Sequence, residues 1–162
     1  MNYFINIGSN LGNRSLILSR AIRAIAARYG WFEVSHTVET EPWGFSSPHP
    51  FLNVCVTFVT KDEPEAVLDV LQGIERELGG GKSHRNADGS YADRALDIDI
   101  VAVDQDVVDT PRLRVPHPHL AERLFFLEPF DELAPAWRHP VTGLTPGEMI
   151  QQLKLKNKSE EN

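Results

Sequence analysis

The chain has a single cysteine, Cys55, among its 162 residues. One thiol excludes an internal disulfide framework and fits a reducing compartment. Its surroundings, FLNVCVTFV over residues 51–59, are apolar enough to make it a core thiol rather than a nucleophile. Positive charge is scarce as well: 16 Lys and Arg face 23 Asp and Glu, a net charge of −7. That balance argues against a general nucleic-acid binder, which needs a basic footprint, and leaves room for a local basic pocket around a phosphorylated ligand. No apolar run is long enough to cross a bilayer. The start, MNYFINIGSN, lacks the basic-then-apolar pattern of a signal peptide. The expectation is a cytoplasmic protein with neither a membrane nor a nucleic-acid partner.

What is present is 41% apolar residues, enough for one domain with a sizeable core. Residues 1–155 read as that domain and 156–162 as a polar, disordered tail. A strand from Tyr3 to Ile7 ends at Gly8-Ser9-Asn10, and a helix follows from about Ser15 to Tyr29, with Leu18, Ile22 and Ile25 at helical spacing and Gly30 as its stop. Trp31 to Glu39 reads as a second strand and Phe51 to Thr60 as a third, separated by a Pro-rich loop. Asp62 is placed as the cap of a second helix, with Pro64 in its first turn and Val67, Leu71, Ile74 and Leu78 on its apolar face. Residues 94–103, RALDIDIVAV, form the last core strand. Beyond it seven prolines predict short pieces, with a helix near Pro146 to Leu153. The order β-α-β-β-α-β is ferredoxin-like, an α+β fold whose antiparallel sheet carries two helices on one face, here with a C-terminal extension. The other sheet face is covered by the C-terminal segment or stays open to bind something.

RALDIDIVAV holds the main chemical signal. An unpaired charge is very costly in a buried strand, yet two carboxylates sit one residue apart. Strand alternation points Asp97 and Asp99 the same way, roughly 7 Å apart, and sends Leu96, Ile98, Ile100 and Ala102 to the core. Such a pair either holds a hard divalent cation, completed by waters and phosphates, or is a solvated strand face. Glu75, at the flank of the second helix's apolar stripe, is a third carboxylate in play. Cations gather nearby in sequence: Arg94, then Arg112 and Arg114 in PRLRVPHPH, then Arg123. Each alone reads as a solvated basic residue; together, in Pro-stiffened loops, they favour a polyphosphate site. His117 and His119 lack a third ligand at a zinc spacing. Residues 78–83, LGGGKS, imitate a Walker A loop but follow a helix instead of a strand, so they read as a loop that closes over a ligand. Phe51 and Asn53 share a strand face, a ring beside an amide that suits a flat heterocycle.

The combination Ile7-Gly8-Ser9-Asn10-Leu11-Gly12, Thr40-x-Pro42-x-Gly44, Phe51-Leu52-Asn53, DRALDIDIVAV and VPHPHLAERLFFLEP resembles the 6-hydroxymethyl-7,8-dihydropterin pyrophosphokinase family of folate biosynthesis, from the first strand through Pro135. The resemblance implies pyrophosphate transfer from ATP to the pterin hydroxymethyl group, with release of AMP, by a monomer. It implies two magnesium ions bridging Asp97 and Asp99 to the ATP phosphates. It implies a pterin sandwiched by Phe51 and Phe125, read by Asn53, and lined by Gly8, Asn10, Thr40 and Trp43. Gln72, Glu75, Tyr91, Arg94, Ile100, Arg112, Arg114, His117 and Arg123 match nucleotide or phosphate contacts, and Lys82, Arg85 and Arg94 join the aspartates as catalytic positions. The sequence departs from the family at Lys82-Ser83-His84-Arg85, where Arg-x-Arg is common, leaving open which of Lys82, His84 and Arg85 meets phosphate. Tyr91 stands where Trp is common, and Pro118 where Tyr is often found. Two further readings account for parts of the pattern: a ferredoxin-like module that binds a small ligand without chemistry, and a metal-dependent nucleotidyl or glycosyl transferase.

Overall fold

The computed structural model describes residues 1–30, 32–40, 50–79 and 95–160. Strand β1 (Asn2–Ser9) lies centrally, antiparallel to β4 (Phe51–Val59) on one side and β5 (Asp97–Val103) on the other. Both β2 (Glu33–Val34) and β3 (Val38–Thr40) pair with the far edge of β4. The spatial order β5-β1-β4-β2/β3 is that of a ferredoxin-like sheet. The single strand expected over Trp31–Glu39 is instead two, because Ser35 interrupts the ladder. Its hydroxyl accepts the Cys55 N–H at 2.9 Å, and its own N–H donates to the Cys55 carbonyl. A side chain has taken a backbone partner, and the edge buckles there.

Helix α1 (Arg14–Tyr29) is capped by Asn13, whose side chain accepts the Leu16 N–H at 3.2 Å, and ends at Gly30 with φ 88°. Helix α2 begins at Pro64 and ends at Gly79. Asp62, expected as its cap, lies a residue too early; its carboxylate takes Arg28 Nη2 at 3.2 Å instead. Both helices bury their apolar stripes on one sheet face, where Tyr3, Ile5, Ile7, Val54, Val56 and Ile98 meet Leu18, Ile25, Val67 and Leu71.

Among the described residues, the opposite face is half covered. Helices α3 (Leu124–Leu133) and α4 (Pro146–Glu160) close over Phe4, Cys55, Val101 and Ala102 with Phe126, Leu127, Phe130 and Met149. Neither helix matches the sequence expectation fully: α3 forms despite Pro129 inside it, and α4 continues past Leu153 through residues 156–160, which are helical rather than frayed. Lys154, Leu155, Lys156, Lys158 and Glu160, good helix formers, make up most of the stretch past Leu153. The sheet face also corrects Ala102. Ile100 faces Ile5 but Ala102 faces Phe4, so Val101 is an unpaired extra residue. This bulge flips the alternation, putting Ala102 under α3 and α4 and Val103 on the α1–α2 side. Beyond β5 the hairpin β6 (Val108–Asp109) and β7 (Arg114–Val115) returns the chain to the sheet. Among the described residues no helix is long and apolar enough to cross a membrane.

Candidate active site

The half of that second face that no described element covers is polar. Register fixes its rows: Asn53, Gly8 and Asp97 lie side by side across β4, β1 and β5, and Cys55, Asn6 and Asp99 form the next row. With neighbouring strands about 4.8 Å apart, the Asn53 amide and the Asp97 carboxylate start ~10 Å from each other. Gly8 keeps the space between them low. A Cβ there would sit 2.7 Å from Asn53 Oδ1 and 3.5 Å from the Phe51 ring. Asn53 is buried and donates from Nδ2 to Thr40 Oγ1 at 3.4 Å, so its amide is held in one orientation. Phe51 and Phe125 are half-buried at the edges of this patch, and Asn10 is buried at its end. Gly8, Asn10, Thr40, Phe51, Asn53 and Phe125, picked out from sequence, thus border one surface.

On the β5 side a cleft of about 510 Å³ opens, a volume typical of small-molecule sites. Asp97 and Asp99 form its floor; Gln72 and Glu75 of α2 line one wall, and Arg112, Arg114 and His117 the other, with Ile100 at the base. Two backbone ties shape it. The Ile98 N–H, between the aspartates, donates to Glu75 Oε2 at 2.8 Å. The His117 N–H donates to the Val101 carbonyl at 2.8 Å, so the bulge anchors the histidine loop. His117 Nδ1 accepts the His119 N–H at 3.1 Å, which leaves Nε2 to face Asp99 Oδ1 at 3.9 Å. Arg112 reaches Asp69 at 2.5 Å and Gln72 at 3.4 Å, and its guanidinium is held more firmly protonated by that hydrogen bond to Asp69. Arg114 pairs with Asp109 at 3.3 Å.

Arg123 stands apart. It is buried, with its guanidinium 5.5 Å from the Phe125 ring centroid and 5.0 Å from that of Phe126, and it does not line the cleft. Trp43, Lys82, His84, Arg85, Tyr91 and Arg94 lie outside the described residues. Among the described residues no group of three or more His, Cys, Asp and Glu gathers as a metal cluster. Two same-face carboxylates fit a hard cation that takes its remaining ligands from phosphates and water. Sequence reasoning missed Asn6, a buried amide in the row of Asp99; its signal was one polar residue inside YFINIGS, the same kind of misfit that exposed the aspartates. It also missed Asp69, which shows only as an ordinary helix-surface carboxylate.

Comparison with known proteins bears on this geometry. The family model of 7,8-dihydro-6-hydroxymethylpterin-pyrophosphokinase matches residues 4–135. A 2-amino-4-hydroxy-6-hydroxymethyldihydropteridine pyrophosphokinase of Porphyromonas gingivalis is 42% identical over 139 residues, 85% of this chain and 92% of the relative. The enzyme of that name from Bacillus subtilis is 35% identical over 132 residues, 80% of this chain and 76% of the relative. In fold, the chain resembles the solved Plasmodium falciparum HPPK-DHPS with a TM-score of 0.71 at 14% identity, covering 99% of this chain and 45% of that one; it therefore spans less than half the length of that solved chain. The ferredoxin-like sheet, the paired aspartates and a match running from β1 into the segment after α3 agree: this chain belongs to the 7,8-dihydro-6-hydroxymethylpterin-pyrophosphokinase family.

Proposed function

We propose that this chain transfers pyrophosphate from ATP to the hydroxymethyl group of 6-hydroxymethyl-7,8-dihydropterin, in folate biosynthesis, as a cytoplasmic monomer. The carrying observation is the row Asn53–Gly8–Asp97, which puts an amide suited to a heterocycle edge ~10 Å from a carboxylate suited to a metal–phosphate centre. A pterin ring lies between Phe51 and Phe125 with its polar edge on Asn53, and Gly8 leaves room for it. Its hydroxymethyl arm then extends toward Asp97. ATP occupies the cleft, its nucleoside end toward Gln72 and Ile100 and its phosphates toward Asp97 and Asp99.

In the reaction the hydroxymethyl oxygen bonds to the β-phosphorus and loses its proton. The bond from that phosphorus to the oxygen bridging it to the α-phosphate breaks, and AMP leaves with the electron pair. Positioning and charge neutralisation supply most of the catalysis in such transfers. Asp97 and Asp99 would hold magnesium, which when bound neutralises phosphate charge. Arg112 and Arg114 bring delocalised positive charge to the nucleotide side, and His117 offers an N–H from Nε2. Lys82, Arg85, Tyr91 and Arg94, with Trp43 on the pterin side, complete the proposed set.

The test is AMP formation from ATP and magnesium, with and without the pterin, in the wild type and in Asp97→Ala. Pterin-dependent AMP that falls about a hundredfold or more in the variant, at unchanged far-UV dichroism, is expected. ADP as the product, or pterin-independent turnover, overturns the proposal.

A further inference from the structure

We infer that Asn6 is a positioning residue for the Phe125 ring, acting through the backbone where Pro129 opens helix α3; this rests on the reading that Phe125 stacks on a pterin. Asn6 is 2% exposed, flanked on its strand by Phe4, Ile5 and Ile7. Burying an amide is unfavourable unless it is bonded. Its Nδ2 donates to the Phe125 carbonyl at 2.9 Å, across a sequence separation of 119 residues.

That carbonyl is available for a reason. In a helix the N–H of residue i bonds to the carbonyl of residue i−4. Phe125 therefore looks to position 129, which is proline and has no N–H. The ring of a helix-interior proline also presses on that same carbonyl and tilts it away from the helix. Asn6 supplies the missing donor from the sheet. It sits beside Asp99 in register and two residues before Gly8 on the same strand face. One amide thus ties the backbone of the proposed stacking ring to the strand row that carries the metal-binding carboxylate. An amide that only satisfies the core would make no distinction between the two substrates.

The experiment is steady-state AMP formation by Asn6→Leu, which keeps the shape and removes the donor. Losing one net hydrogen bond predicts a pterin KM raised about threefold to tenfold, with the ATP KM within twofold of wild type. In Asn6→Leu/Pro129→Ala the new N–H at position 129 can serve the carbonyl. The pterin KM of the double variant is then expected to return to that of Pro129→Ala alone. An unmoved pterin KM, equal rises in both KM values, or the absence of rescue overturns the inference. Wild-type protein that makes no pterin-dependent AMP overturns the functional reading instead. Should Asn6→Leu fail to fold, ¹⁵N-labelled wild type decides. Pterin alone is expected to shift the Asn6 side-chain resonance and leave α4 amides in place; an unmoved Asn6 resonance overturns the inference.

Discussion

Replacing Glu75 with alanine separates two roles for a residue on the wall of the cleft. Among the described residues β5 pairs with one strand, β1, so N–H groups on its other edge need partners. The Glu75 carboxylate is such a partner for Ile98, at 2.8 Å, between Asp97 and Asp99. A hydrogen bond to a charged acceptor contributes about 1.5–3 kcal/mol. The cleft is open and water replaces part of that, so about 1–2 kcal/mol is the expected loss. For a domain of this size each kcal/mol lowers Tm by about 2–4 °C, which puts the fall at roughly 2–8 °C in ligand-free protein followed by dichroism. Glu75→Gln keeps an acceptor without the charge and is expected to lose about half as much. Because the strand carries both aspartates, Glu75→Ala lowers kcat more than it raises the KM for ATP. An unchanged Tm with a raised ATP KM would refute the reasoning. Glu75 would then meet the nucleotide directly instead of holding the strand.

Gly8→Ala places a Cβ 2.7 Å from Asn53 Oδ1 and turns a buried amide out of position; the KM for pterin is expected to rise about tenfold at unchanged ATP KM, and equal pterin affinity in a binding titration would refute this. Cys55 is fully buried and burial pushes its thiol pKa up; a disulfide reagent at pH 8 is expected to label none of it in native protein and one thiol per chain in urea. Burial lowers the pKa of His139 from its ordinary value near 6.5, and its Nδ1 accepts the N–H groups of Val141 at 3.1 Å and Thr142 at 3.3 Å. The folded state therefore binds this proton less readily than the unfolded chain. Its contribution to stability is full above about pH 6.5 and is lost as pH falls below. The urea midpoint is expected to drop between pH 7.5 and 5.5, less steeply in His139→Asn; identical slopes would refute the assignment.

The β-α-β-β-α-β order is legible in the sequence because alternation and helical spacing are local. What stayed hidden depends on distant partners. Pro129 reads as a helix stop, and only the amide of Asn6, far away in sequence, makes α3 intelligible. Ser35 looks like an ordinary strand residue until its hydroxyl meets Cys55. The bulge at Val101 is invisible in IVAV, since any of these residues suits either face. At the site, Asp97 and Asp99 declare themselves because carboxylates are out of place in an apolar strand. Arg112 and Arg114 read as cations, but nothing local shows that Asp69 and Asp109 pair with them. Arg123 reads the same way, and the fold places it against two rings.

The extra residue at Val101 is a half-period phase change in the strand. Were all seven residues to alternate strictly, Ala102 would enter the α1–α2 layer and Val103 would leave it. Deleting Val101 would not cause that conflict: Ile100, Ala102 and Val103 would keep the faces they have, and Asp97 and Asp99 would still reach the cleft. The deletion would instead remove the Val101 carbonyl that takes the His117 N–H. A residue lost between Asp97 and Ile100 acts differently, because it turns a carboxylate or the packing beneath it to the wrong face, where unpaired charge is very costly. A working descendant of this sequence is therefore expected to hold the count from Asp97 to Ile100, and to drop the residue at 101 only where the histidine loop finds another anchor.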